Sequence, residues 1–156
     1  MTFSTRLDLE FDRTRVSLCA LRNAREIKSA DVAHLRSLIN EGAISRDEAD
    51  MLFAVERAAN AKCAEWTEFF IETVTDHVVW QMRPTGVVNE SQGEWLIARV
   101  DEAQTLNAFA ALVNVMAEAH RVPLWFLSAA RSRAAQGWPG AEMAVAAANA
   151  EFALAA

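Results

Sequence analysis

The sequence has few of the residues that interrupt regular structure, with 5 glycines and 3 prolines among 156 residues. This shortage favours long helices over a fold with many tight turns. The two cysteines, Cys19 and Cys63, lack the spacing of a metal or redox site, so we expect free thiols. A chain of this length buries enough surface to fold without a disulfide or a metal ion.

Long apolar runs and an excess of basic residues are also missing. No uncharged apolar run approaches about 18 residues, and the N-terminus lacks the apolar core of a signal peptide. We therefore expect a cytoplasmic protein that does not bind a membrane. The net charge of −6 opposes binding to phosphates, so we expect no nucleic-acid partner. Arginine far outnumbers lysine, a bias typical of GC-rich bacterial genomes.

A twelve-residue pattern occurs twice in the chain, 44 positions apart. Each copy has a glycine, a β-branched apolar residue, a helix N-cap residue, and Glu or Gln three positions after the cap. An acid, a large apolar residue and a leucine complete both copies. The positions are filled by Gly42, Ile44, Ser45 and Glu48 in the first copy, and by Gly86, Val88, Asn89 and Gln92 in the second.

The cap positions predict where two helices begin. Ser45 and Asn89 have side-chain oxygens that accept hydrogen bonds from unpaired backbone N–H groups of the first turn. Glu48 and Gln92 lie where they can reach back to the cap residue and complete a capping box. Such a cap contributes about 1 kcal/mol.

The residues before each cap predict the turns themselves. Gly42 and Gly86 suit the left-handed conformation in which a preceding helix often ends. Ile44 and Val88 are too apolar for an exposed turn, so we expect both to point inward. The repeat therefore predicts two helix–loop–helix units, with turns at 42–45 and 86–89.

The run Glu41-Gly-Ala-Ile-Ser-Arg-Asp-Glu48 resembles the second half of an EF-hand loop. It is equally similar to the acidic turn of TerB-like helical domains, which also carry the turn twice. The resemblance covers about residues 30 to 100 and implies paired helix–loop–helix units. In EF-hand register, however, Ile39 and Arg83 stand where Ca²⁺ ligands are needed, and Gln92 replaces the bidentate carboxylate. We therefore expect degenerate loops without metal or any other cofactor.

Hydrophobic periodicity predicts an all-α fold of about seven helices. Apolar residues recur at helical spacing from Ser29 onward, and Gly137–Gly140 interrupts the pattern before an Ala-rich segment. The predicted helices include about 46–59, 90–101, 104–120 and 141–156, and the most strongly amphipathic one carries Trp66 to Gln81 and ends at Pro84. We assign 27–156 to one helical domain.

The first 26 residues show a different pattern. Leu7, Leu9 and Phe11 alternate with acids, a period-two pattern that indicates a short strand or extended segment. A single strand is not stable alone. We therefore expect residues 1–26 to form an extended or loosely ordered arm.

The sequence favours a role in protein–protein interaction over metal binding or catalysis. Trp80 lies off the apolar stripe of its helix and Trp138 lies in a Gly/Pro break, so both are candidate anchors for an unknown protein partner or a homodimer. The alternative is a metal-responsive or stress-related TerB-like domain that binds a divalent ion through Glu41, Asp47, Glu48 and Asp50. An enzyme with an unrecognised site is a second alternative, but no catalytic motif occurs, and we expect no enzyme activity.

Overall fold

The computed structural model describes residues 3–39 and 43–136, with side chains from residue 13 onward. In these ranges the chain forms seven α-helices, which confirms the all-α fold class. Their bounds are α1 Phe3–Ala24, α2 Ser29–Leu38, α3 Arg46–Ala58, α4 Ala64–Thr75, α5 Glu90–Ala103, α6 Leu106–Glu118 and α7 Leu124–Ala135. Two two-residue strands, β1 Glu26–Ile27 and β2 Ala61–Lys62, pair in parallel. No described helix is long and apolar enough to cross a bilayer.

Side-chain caps define several of the helix starts. Ser45 accepts a hydrogen bond from Glu48 N at 3.1 Å, and Glu48 Oε1 accepts one from Ser45 N at 3.0 Å, which is the predicted capping box. Asn89 Oδ1 accepts from Gln92 N at 2.7 Å, as predicted for α5. Thr105 caps α6 in the same way.

The chain divides into two compact units, Met1–Phe70 and Ile71–Ala156, with the boundary inside α4. In the first unit α1 packs against α3 and α2. Its core is aromatic and aliphatic, and Phe70 contacts both Phe53 and Trp66 at centroid distances of 5.0 and 5.8 Å. The buried side chains include Leu18, Leu35, Leu52, Val55, Trp66 and Phe70.

A carboxylate lies within this apolar core. Glu56 has no exposed surface and pairs with the ammonium group of Lys62 on β2. Trp66 Nε1 donates to Glu56 Oε1 at 3.0 Å. Burial of a charged group is unfavourable unless it is paired and hydrogen-bonded, and both conditions are met here.

In the second unit α5 packs against α6 and α7. Gly93 lies at the approach of α5 to α7, where a Cβ would be 3.1 Å from the ring of Trp125. Val87 and Arg121 form an isolated parallel bridge between the segments that precede α5 and α7. The buried side chains include Leu96, Val100, Phe109, Leu112, Val115 and Phe126.

The two units correspond in a register of about 60 positions, which differs from the 44-position spacing of the twelve-residue pattern. The predicted caps Ser45 and Asn89 therefore do not occupy equivalent places, because they begin α3 and α5. Helices α3 and α4 match α6 and α7 in length, and both ends of each pair lie 60 positions apart. The N-caps Ser45 and Thr105 occupy the same place in this register. The strand pair Glu26–Ala61 corresponds to the bridge Val87–Arg121, with offsets of 61 and 60 positions. Each unit is therefore built from two helix–loop–helix segments joined by a short parallel bridge.

The prediction of an extended arm over 1–26 is wrong, because α1 is helical from Phe3 to Ala24. The period-two pattern at 7–12 is short, and it is followed by Thr14, Leu18 and Leu21 at helical spacing. All three are buried, so packing of this stripe favours the helix. The single domain predicted over 27–156 also differs from the observed division, which places α1 within the first unit. The predicted helix at 141–156 lies outside the described residues.

Candidate interaction surface

Helix α4 continues directly into one π-helical turn, Asp76–Trp80. Gln81 N donates to Asp76 O at 2.7 Å, which is the five-residue spacing of a π turn. Val78 and Val79 are buried, Trp80 is half-buried and Asp76 is exposed. The wider turn therefore changes which side chains reach the surface, an arrangement often found at functional sites.

Trp80 is held in one orientation by the end of α6. Its indole Nε1 donates to Glu118 Oε1 at 3.0 Å. Its ring meets His120 edge to face, with centroids 5.9 Å apart. The predicted anchor is thus an ordered aromatic side chain that keeps part of its ring at the surface.

Glu118 is itself positioned by a short hydrogen-bond chain. Its Oε2 accepts from Asn114 Nδ2 at 2.8 Å, and the same amide nitrogen donates to Thr75 Oγ1 at 2.8 Å. Thr75 is buried next to the start of the π turn. Both carboxylate oxygens of Glu118 are therefore engaged, which fixes the acceptor that holds Trp80.

His120 occupies the space that Gly86 leaves open. Gly86 has φ +82°, and a Cβ built on it would lie 2.5 Å from His120 Cδ2. His120 N donates to Gly86 O at 2.7 Å. Glycine is needed here both for its left-handed backbone and for the close approach of the imidazole.

Glu118, which holds Trp80, belongs to a group of neighbouring carboxylates. Partial burial raises the pKa of Asp76, and the neighbouring carboxylates of Glu118 and Glu72 raise it further. We call Glu72, Asp76, Trp80, Glu118 and His120 the Trp80 surface. An aromatic face beside several carboxylates is suited to a cationic group, such as the side chain of arginine or lysine.

In the acidic turn near residue 45, two of the predicted metal ligands already have other partners. Asp47 Oδ2 lies 3.2 Å from Arg15 Nη2, and Glu48 is buried in its capping box. Asp50 is half-buried, while Glu41 and Gly42 lie outside the described residues. Across 3–39 and 43–136 no group of three or more His, Cys, Asp or Glu is placed to hold a metal ion.

Some of the remaining predicted turn residues match the prediction and others do not. Ile44 and Val88 are buried, as expected for inward-pointing side chains. Gln92 is also buried, and its Nε2 donates to the carbonyl oxygen of His77 at 3.1 Å. Its side chain therefore links α5 to the π turn, and the prediction that it completes a capping box with Asn89 is wrong. Trp138 lies outside the described residues.

Sequence reasoning identified Trp80 but missed Glu118 and His120. They are 38 and 40 positions further along the chain, and no local pattern connects them to Trp80.

Comparison with known proteins leaves the family open. The chain matches no protein-family model, and neither the curated proteins nor the solved structures gave a significant match. The resemblance of the turns to EF-hand-like and TerB-like domains therefore stays a prediction.

Proposed function

We propose that this chain is a protein–protein interaction module of the cytoplasm, and that the Trp80 surface binds a basic segment of its partner. The observation that carries the proposal is the half-buried indole of Trp80, held by the carboxylate of Glu118, which in turn lies close enough to Asp76 to raise its pKa. Tryptophan is enriched among the residues that dominate binding energy at interfaces.

Pre-organisation supports this role. Glu118 and His120 already hold Trp80, so binding orders few additional side chains, and ordering costs about 0.5–1.5 kcal/mol per side chain. A guanidinium or ammonium group over the ring gains cation–π attraction. The carboxylates add charge complementarity to a basic segment.

The proposal is tested by calorimetric titration of the full chain with two synthetic helical peptides of one length. One peptide carries Arg and Lys on its polar face, and the other carries Glu at the same positions. We expect micromolar binding of the basic peptide only, weakened at least about tenfold by Trp80→Ala. Trp125→Phe, a change at a half-buried tryptophan of the same unit, is the matched control and should bind normally. Equal binding of both peptides, or an unaffected Trp80→Ala variant, would contradict the proposal.

The divalent-ion alternative has weaker support. Asp47 and Glu48 already have partners in an ion pair and a capping box, and neither contact suggests a ligand. An unrecognised enzyme activity has no arrangement of described side chains in its favour. We therefore propose no second function, and the ion alternative is tested by the unfolding experiment given below.

A further inference from the structure

The backbone around the Trp80 surface has a counterpart in the first unit. Asn60 N donates to Arg25 O at 2.8 Å, as His120 N donates to Gly86 O at 2.7 Å. Arg25 and Gly86 both have positive φ, 59° and 82°. These matched contacts make Arg25 and Asn60 the counterparts of Gly86 and His120.

The side chains on the two counterparts have opposite character. In the first unit the end of α3 offers Ala58 where α6 offers Glu118, and Asn60 stands in place of His120. Arg22 and Arg25 are exposed beside this turn, although Glu26 is exposed there too. We call Arg22, Arg25, Ala58 and Asn60 the basic turn surface. It is small and basic, whereas the Trp80 surface is large, aromatic and acidic.

We propose that the basic segment bound by the Trp80 surface belongs to a second copy of this chain, and is its basic turn surface. This inference rests on the proposed function and names its partner. The guanidinium groups of Arg22 and Arg25 would meet the carboxylates, as opposite charges across interfaces commonly do. The small Ala58 and Asn60 leave room for the indole of Trp80.

The contact joins two different surfaces, so it is heterologous. The pair keeps one unused Trp80 surface on one molecule and one unused basic turn surface on the other, so a further copy can add at either end. Exposed ion pairs are weakened by salt. We therefore expect a weak association that grows with protein concentration and is lost at high ionic strength.

Sedimentation velocity of the full chain over a wide concentration range tests this at about 0.05 M and about 0.5 M NaCl. The wild type should grow beyond a dimer at low salt and stay monomeric at high salt. Arg22→Glu and Asp76→Arg should each remain monomeric alone, with helicity unchanged by circular dichroism. Their equimolar mixture should give a one-to-one complex that does not grow, because each variant retains one intact surface. Arg131→Glu, which reverses an exposed charge outside both surfaces, should associate like the wild type.

The outcomes separate this inference from the proposed function. A wild type that is monomeric throughout, yet binds the basic peptide through Trp80, would overturn only the second copy as partner. Association that persists in both single variants would also overturn it. Failure to bind the basic peptide would overturn the proposed function, and with it the inference that depends on it.

Discussion

Trp125 Nε1 donates to Glu90 Oε2 at 2.6 Å, and this bond joins the first turn of α7 to the first turn of α5. The corresponding positions in the first unit are Glu65 and Ser29, which also share a hydrogen bond. A hydrogen bond from the backbone N–H of Glu65, followed by those from Ser29 and Cys63, lowers the pKa of that carboxyl. In each unit a hydrogen bond therefore joins the starts of two helices at corresponding positions, although the residues that form it differ.

The tie between α5 and α7 should be measurable as a pairwise coupling. Trp125→Phe removes the donor and keeps a ring, and we expect a loss of about 1 kcal/mol in the free energy of unfolding. Glu90→Ala should add little once the donor is absent. Urea unfolding of both single variants and the double variant gives the coupling energy. A coupling indistinguishable from zero would mean that this hydrogen bond contributes nothing to stability.

Gly86 should be the least replaceable glycine in the described part of the chain. Alanine there meets an unfavourable left-handed backbone, which costs roughly 1–2 kcal/mol, and it also collides with His120. We expect Gly86→Ala to lower stability by about 2 kcal/mol or more in urea unfolding. Adding His120→Ala should recover the part due to the collision and leave the backbone part. If the single and double variants are equally unstable, steric contact with His120 is not the cause.

The buried ion pair of Glu56 and Lys62 predicts an asymmetry between variants. Lys62→Met removes the ammonium group that pairs with the buried carboxylate of Glu56, and we expect a loss of about 2–4 kcal/mol. In the double variant Lys62→Met/Glu56→Gln the glutamine can still accept from Trp66, so part of that stability should return. Chemical unfolding of the two variants makes the comparison. A double variant less stable than Lys62→Met would contradict this account.

Local signals in the sequence were enough for much of the fold. The caps at Ser45 and Asn89 depend on contacts within one turn, and both are present. The predicted extended arm is not formed, because Thr14, Leu18 and Leu21 make a buried helical stripe that outweighs six alternating residues. Their burial depends on packing against other helices, which local patterns do not show. Two-residue strands carry no periodic signal, so the β1–β2 pair was not expected.

The candidate surface was harder to predict for the same reason. Trp80 was a candidate because it lies off the apolar stripe of its helix. Its position depends on a π turn, which a search for the ordinary helical period cannot find. Glu118 and His120 join it only through the tertiary fold.

If the chain bound a divalent ion, that ion would raise the midpoint of thermal unfolding, and we expect no such rise. Thermal unfolding of chelator-treated protein should give the same midpoint with and without about 1 mM Ca²⁺, Mg²⁺, Zn²⁺ or Mn²⁺. An ion at 100 times its dissociation constant would add about 2.7 kcal/mol to the free energy of unfolding. Glu48→Gln should cost only its capping interaction, about 0.5–1 kcal/mol. A midpoint that rises with one ion, and no longer rises in Glu48→Gln, would favour the metal-responsive function.

The pKa of Asp76 predicts how stability depends on pH. In the unfolded chain this carboxyl returns to its ordinary value of 3.8, whereas burial and then Glu118 and Glu72 raise its pKa in the folded protein. The folded state therefore binds the proton more readily, and Asp76 makes the protein less stable at pH values above its folded pKa. This loss is relieved as the pH falls from the folded pKa towards 3.8, and it is absent below that value.

Asp76→Asn should accordingly be more stable than the wild type at neutral pH. The gain should shrink on acidification and vanish below the ordinary aspartate pKa. Thermal unfolding of both proteins at matched ionic strength across this range measures the difference. Asp76→Ser should behave alike, since the effect comes from loss of the carboxylate and not from the amide. A variant less stable than the wild type at neutral pH, or a gain that increases on acidification, would show that the carboxylates of the Trp80 surface do not oppose one another.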